Sequence, residues 1–173
     1  MAITATGKTA IEVSYSTTND RDIAETKENK NTKTDSTTDY AAGTSTQQVN
    51  RVYSDRRSLT ASSGTDDLNL SALTDPQYGV AINFDRIRWI YVKNRVDSGG
   101  PSMLVGGAGA GAFSGPFNGN TSAQIELAPG DELFISNKLT GWDVPTAASI
   151  LRITHDGGSS GGVDYDIIIG GTV

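Results

Sequence analysis

The sequence predicts an all-β protein: a two-sheet, jelly-roll-like sandwich with an extended N-terminal arm. Three observations carry this. Apolar residues recur at every second position in short runs, and clusters of Gly, Ser, Thr and Asn separate those runs. No segment keeps the 3.6-residue apolar period of an amphipathic helix. The 173 residues, with 36% hydrophobic residues and 20 glycines, fit one modest core plus an appendage. We place the arm, with one short strand in it, at residues 1–48 and the sandwich at residues 49–173.

In chain order, Lys8–Ser16 sets Ile11, Val13 and Tyr15 on one side and reads as a strand with one wet face. From Thr17 to Gln48 the only large aliphatic residue is Ile23 and the only aromatic is Tyr40. Ordering costs about 1–2 kcal/mol per residue for the backbone alone, so this polar segment is expected to be mobile by itself, either a long solvated loop or an arm that another chain orders by wrapping contacts. Gln47–Arg57 reads as an edge strand ending in a Ser54–Asp55 turn. Two short strands follow, around Leu59 and around Leu68–Leu70, with Gly64–Thr65–Asp66 as the turn between them and Asp75–Pro76 closing the second.

The stretch around which the rest is organised is Ala81–Asn94. Apolar residues on both of its faces predict a central strand covered on both sides. Ile82 and Phe84 keep one phase; Ile87, Trp89 and Tyr91 keep the other, opposite Ile90 and Val92. That slip predicts a bulge near Asp85–Arg86, and the length predicts two pieces or a bend. Beyond a Val96–Pro101 turn, Met103–Val105 is a short strand. Phe113 and Phe117 then anchor the glycine stretch from Gly106 to Gly119, inside the chain or across an interface. Ile125 and Leu127, a Pro129–Gly130–Asp131 turn, and Leu133 and Ile135 read as a hairpin. Gly141–Trp142 falls in a loop, Ile150–Ile153 in a strand that runs into a glycine-rich turn, and Val163, Tyr165, Ile167 and Ile169 alternate in the last strand, with Ile168 on its other face.

Composition excludes several chemistries. With no cysteine there are no disulfides, thiolate sites or Cys nucleophiles, and one histidine cannot make a His-rich metal site. A net charge of −6 is wrong for a general nucleic-acid binder. The N-terminal residues lack the basic region and apolar run of a signal peptide, and no run nears the roughly 18 apolar residues of a membrane span. The glycines of 106–119 are not followed by a helix or by Gly-Lys-Ser/Thr, so they do not form a phosphate loop. His155 reads as a surface residue of a strand-end turn, and Asp164 and Asp166 as a solvated strand face. We expect no enzyme activity, no catalytic residue, no cofactor and no metal.

Several segments in order, DDLNLSALTD (66–75), FDRIRWIYVKN (84–94), LVGGAGAGAF (104–113), IELAPGDELFIS (125–136), the Gly141–Trp142 loop, ILRITHDGG (150–158) and VDYDIIIGG (163–171), resemble the small β-sandwich structural proteins of tailed bacteriophage virions. The resemblance covers about residues 50–173 and no part of the polar segment. It implies a virion component, first a capsid decoration (cement) protein, made in the host bacterial cytoplasm. Its partners would be the major capsid protein and copies of itself, with a trimer as the expected symmetry. A tail, neck or fibre-base protein is the alternative within the virion. The expected interface combines Phe113 and Phe117 with Ile23 and Tyr40 of the arm and with Arg51, Arg56 and Arg57, which in an acidic chain meet carboxylates or a partner surface. A carbohydrate-binding module is the alternative outside assembly. Its stacking residue would be Trp142, ahead of Trp89, Tyr78 and Phe117.

Overall fold

The protein is all-β. The computed structural model describes residues 7–21, 25–61, 64–76, 79–158 and 160–173, with side chains described from Tyr40 onward. Ile23 and Tyr78 lie outside the described residues. Strands β1 (Gly7–Arg21), β2 (Glu25–Ala42), β3 (Gln48–Val49), β4 (Arg51–Leu59), β5 (Thr65–Asn69), β6 (Leu73–Thr74) and β7 (Ala81–Ile82) fill the first half. The second half holds β8 (Arg86–Asn94), β9 (Met103–Gly106), β10 (Gln124–Leu127), β11 (Glu132–Ser136), β12 (Trp142–Asp143), β13 (Ile150–His155) and β14 (Val163–Thr172). Helical structure among the described residues is confined to single 3-10 turns.

Two sheets build the body. One runs β11-β8-β14-β4, with β12 pairing on β8; the other runs β10-β9-β13-β5. All their ladders are antiparallel. One cluster of buried side chains draws on both: Tyr53, Ile87, Ile90, Val92, Tyr165 and Ile167 from the first sheet, and Leu68, Met103, Val105, Leu127, Leu151 and Ile153 from the second. Full burial of an aliphatic side chain stabilises by about 1.5–3 kcal/mol, against about 0–1 kcal/mol for an exposed ion pair. The shared core, and not the surface arginine–aspartate pairs, therefore holds the body together.

The last strand behaves as its alternation predicts: Val163, Tyr165, Ile167 and Ile169 are buried, and Ile168 packs on the opposite face. The central stretch does form two pieces, β7 and β8, but the bulge lies elsewhere. Trp89 pairs with Gly170 and Ile87 with Gly171, so Arg88 is the extra residue. Ile87 consequently joins Ile90 and Val92 in the main core, while Trp89 points to the other face. The expected grouping of Ile87 with Trp89 and Tyr91 is corrected. The phase changes between Phe84 and Ile87 and again at Arg88, and alternation alone cannot count such slips.

Other local expectations also change. The chain does not turn at Ser54–Asp55, because β4 runs straight through to Leu59 as an edge strand beside β14. The next turn comes earlier than expected: Gly64 N–H donates to Thr60 O at 3.2 Å, and Thr65 and Asp66 already belong to β5. The Pro129–Gly130–Asp131 reversal is real, with Asp131 N–H donating to Ala128 O at 3.0 Å and Gly130 at φ 84°. Its two arms are not a hairpin, however. β10 pairs with β9 in one sheet and β11 with β8 in the other. Turn residues dictate that the chain reverses, not which strand it meets afterwards. The backbone of the polar segment pairs as well: β2 lies antiparallel to β1 from Gly7↔Tyr40 to Arg21↔Glu25. A ladder of main-chain hydrogen bonds does not require apolar side chains, which is why composition is silent about it.

Candidate functional site

The segment that leaves β2 is tied to the body by a compact device. Residues 43–48 fold back on themselves: Gly43 N–H donates to Val49 O at 3.0 Å, Ser45 N–H to Gln48 Oε1 at 2.9 Å, and Gln47 takes a left-handed φ of 60°. This returns Tyr40 and Val49 to the outer face of the first sheet, where they and Trp89 form a second buried cluster backed by Val52, Phe134 and Ile168. Trp89 can lie flat only because Gly170 stands across from it. A Cβ there would come 2.2 Å from the indole Cε2.

Arg88, bulged out of the ladder, holds the loop. It is 2% exposed. Its Nη2 donates to Ser45 O at 3.0 Å, Nε to Gln48 O at 3.3 Å and Nη1 to Leu139 O at 2.9 Å. Burial holds the guanidinium below its ordinary pKa, with a smaller push the same way from Arg86 and an opposing one from Tyr40. It remains charged, since arginine is not deprotonated in proteins. Three neutral carbonyls therefore solvate a buried cation. Beside it, the Tyr40 hydroxyl and the Trp89 indole N–H are buried with no hydrogen-bond partner of good geometry among the described residues. Burial raises the Tyr40 hydroxyl above its ordinary value, against smaller effects of Ser136 and Arg88.

A charged seam closes the side where β4 and β14 meet β5. Arg57 donates to both oxygens of Asp66, to Asp55 Oδ2 at 3.0 Å and to the Tyr53 hydroxyl at 3.2 Å. The Tyr53 hydroxyl donates to Asp55 Oδ2 at 2.9 Å and the Tyr165 hydroxyl to Asp66 Oδ2 at 2.6 Å. Burial, then the hydrogen bond to Asp55, pushes Tyr53 up to about 12. Burial and Asp66 raise Tyr165 further. On the outer face, Asp166 sits between Arg56 at 2.9 Å and Arg95 at 2.8 Å, beside a shallow depression shared with Ser54, Tyr91 and Ile168. The strand face carrying Asp164 and Asp166 is thus engaged by hydroxyl and guanidinium groups rather than merely solvated.

A separate groove of about 380 Å³, open to solvent, lies between the end of the glycine stretch and β12. Phe113, Ser114, Gly115, Trp142, Asp143 and Pro145 line it. Trp142 is half-buried and sits in a strand pair, not a loop: Trp142 is opposite Ile87 and Asp143 opposite Arg86. That register sets an exposed ion pair, Arg86 Nη2 to Asp143 Oδ1 at 3.0 Å, next to the indole.

The residues singled out from sequence scatter over the molecule. Phe113 is 2% exposed in the main core, so it anchors the glycine stretch within its own chain; Phe117 lies against Gly106. Tyr40 is in the second cluster, Arg51 Nη1 caps Asn50 O at 2.8 Å, and Arg56 and Arg57 meet carboxylates. His155 is not a surface residue. It is 3% exposed; its Nδ1 accepts from Gly157 N–H at 2.8 Å, so Nε2 carries the proton that goes to Gly161 O at 2.8 Å. It organises the glycine-rich turn that follows it. Sequence reasoning missed Arg88, Arg86, Asp143 and Gly170. One signal was present: a charged residue inside the two-sided apolar run Ile87–Val92 must be paid for by specific acceptors. No family model, curated protein or solved structure matches this chain.

Proposed function

We propose that this chain is a structural virion protein of a tailed bacteriophage, a capsid decoration (cement) protein. In this reading the two sheets form a jelly-roll-like sandwich and the N-terminal residues form an extended arm that reaches a neighbour. The observation that carries it is the Gly7–Ala42 pair of strands. At about 3.3 Å per residue, 15 residues of β1 reach on the order of 50 Å. The order β1-β2-β3 leaves one edge of β1 without a strand partner among the described residues. An open edge of that length is a template for strand addition by another chain, and the Arg88 clamp gives the arm a fixed root.

The partners in this proposal are the major capsid protein and further copies of the chain, with a trimer as the symmetry. Linking several weak attachments in one oligomer raises apparent affinity through effective concentration. The resemblance of residues 50–173 to phage structural proteins points the same way. The test is addition of the purified protein to phage heads lacking it. Binding at fixed stoichiometry with increased heat resistance of the heads is the expected result, and a protein that labels only tails or binds no head overturns it. A version lacking residues 1–39 should keep its fold and lose head binding.

A further inference from the structure

We propose that the groove beside Trp142 is a saccharide subsite that takes one neutral hexopyranose ring. This does not depend on the virion reading, since the groove is on the body and none of its lining residues belongs to the arm.

The first argument is the wall. Trp142 is held from two sides: its backbone pairs with Ile87 of β8, and the chain at Gly115 lies directly against its inner edge. A Cβ on Gly115 would fall 2.6 Å from Trp142 Cβ and 2.9 Å from Cδ1, so no other residue allows that approach. The indole is therefore preset before any ligand arrives. It is also half-buried rather than buried, unlike Trp89, so part of its surface is left for a ligand. A preset aromatic wall suits the apolar C–H face of a sugar ring and loses little entropy on binding.

The second argument is the polar rim. Asp143, its side chain 73% exposed, lines the groove and accepts from Arg86, which is itself steadied by a 3.1 Å bond from Nη1 to Thr140 O. The Asp143 carboxylate, held by Arg86 from outside the lining, offers further acceptor positions to sugar hydroxyls. Ser114 also lines the groove. Asp143 is the charged residue of the lining, and its carboxylate disfavours a phosphate or a carboxylated sugar relative to an uncharged one. The volume, about 380 Å³ and open, lies at the lower end of small-ligand sites and suits a single ring better than an acyl chain, which needs an enclosed channel.

The chain's two tryptophans make the test direct, because Trp89 is sealed in the second cluster and leaves Trp142 as the reporter. Intact protein is titrated with neutral gluco-, manno- and galacto-configured trisaccharides, with the corresponding polysaccharides, and with trigalacturonic acid as the charged control. We expect a fluorescence change with one neutral configuration and a Kd on the order of 1 mM for the trisaccharide. Response to both forms assigns free or chain-end sugar as the source; response to the polymer alone assigns internal residues of a surface polysaccharide, and both uphold the subsite. Trp142→Ala should abolish binding measured by calorimetry, and Asp143→Ala should weaken it about tenfold. If Trp142→Ala does not fold, Asp143→Ala, at an exposed side chain, decides alone. No response to any neutral sugar, a response only to trigalacturonic acid, or binding unchanged by Asp143→Ala would overturn the proposal.

Discussion

Replacing Arg88 by methionine tests the clamp most sharply. Methionine keeps much of the stem's volume and removes every donor. Hydrogen bonds to a charged group are worth about 1.5–3 kcal/mol each in mutational terms, and three end on carbonyls here. The gain is not their sum. Ser45 O keeps the 3.2 Å bond from Gln48 N–H, and removing a buried cation recovers several kcal/mol of desolvation. Leu139 is 60% exposed, so water can replace the donor its carbonyl loses, whereas a carbonyl that stays buried without one costs about 1–3 kcal/mol. We therefore expect a net loss of about 2–4 kcal/mol, or a fall in Tm of about 5–15 °C for a chain of this size. Hydrogen exchange should speed up specifically at residues 43–49 and 137–141. Arg88→Lys keeps the charge but lacks the planar fork that reaches three acceptors, so it should lose nearly as much. If Arg88→Met is as stable as the parent or more so, with unchanged exchange in both loops, the cation is a burden rather than a clamp and the reasoning fails.

Other consequences are separately measurable. Gly170→Ala should drive a methyl group into the Trp89 indole and cost about 1–3 kcal/mol in a denaturant melt, with the near-ultraviolet signal of Trp89 altered; an unchanged melt would show that the indole moves freely. Towards acid, Asp67 is held below its ordinary value by Arg152. Burial pushes Asp166 up, but the hydrogen bonds and charges of Arg56 and Arg95 together hold it below its ordinary value. Both contribute stability that is complete above the unfolded carboxylate value near 4 and is lost as pH falls through their lower folded values. The midpoint of chemical melts should fall as pH drops through that range, and Asp67→Asn with Asp166→Asn should flatten the dependence. Towards alkali the sign reverses. Tyr53, raised to about 12, contributes stability that is complete below its unfolded value near 10 and disappears as pH rises through about 12. Phenolate absorbance should show Tyr53 and Tyr165 titrating last and together with unfolding, and early titration of all tyrosines would contradict the seam.

The sequence by itself determined the class, and it did so through period. Alternation in Val163–Ile169 places the inward side chains correctly because a strand flips every residue from face to face, whatever its neighbours are. The glycines and prolines likewise locate reversals, since backbone conformation is a local property. What only the tertiary structure decided is which strands meet. The Pro129–Gly130–Asp131 turn links two sheets instead of closing a hairpin, and the bulge at Arg88 shows only against the register of β14. The groove at Trp142 follows the same rule. Gly115, Arg86 and Asp143 are far apart or unremarkable along the chain, and become a surface only when β12 pairs with β8. Periodicity is written in consecutive residues, whereas pairing is a choice among distant partners settled by burial of the whole core.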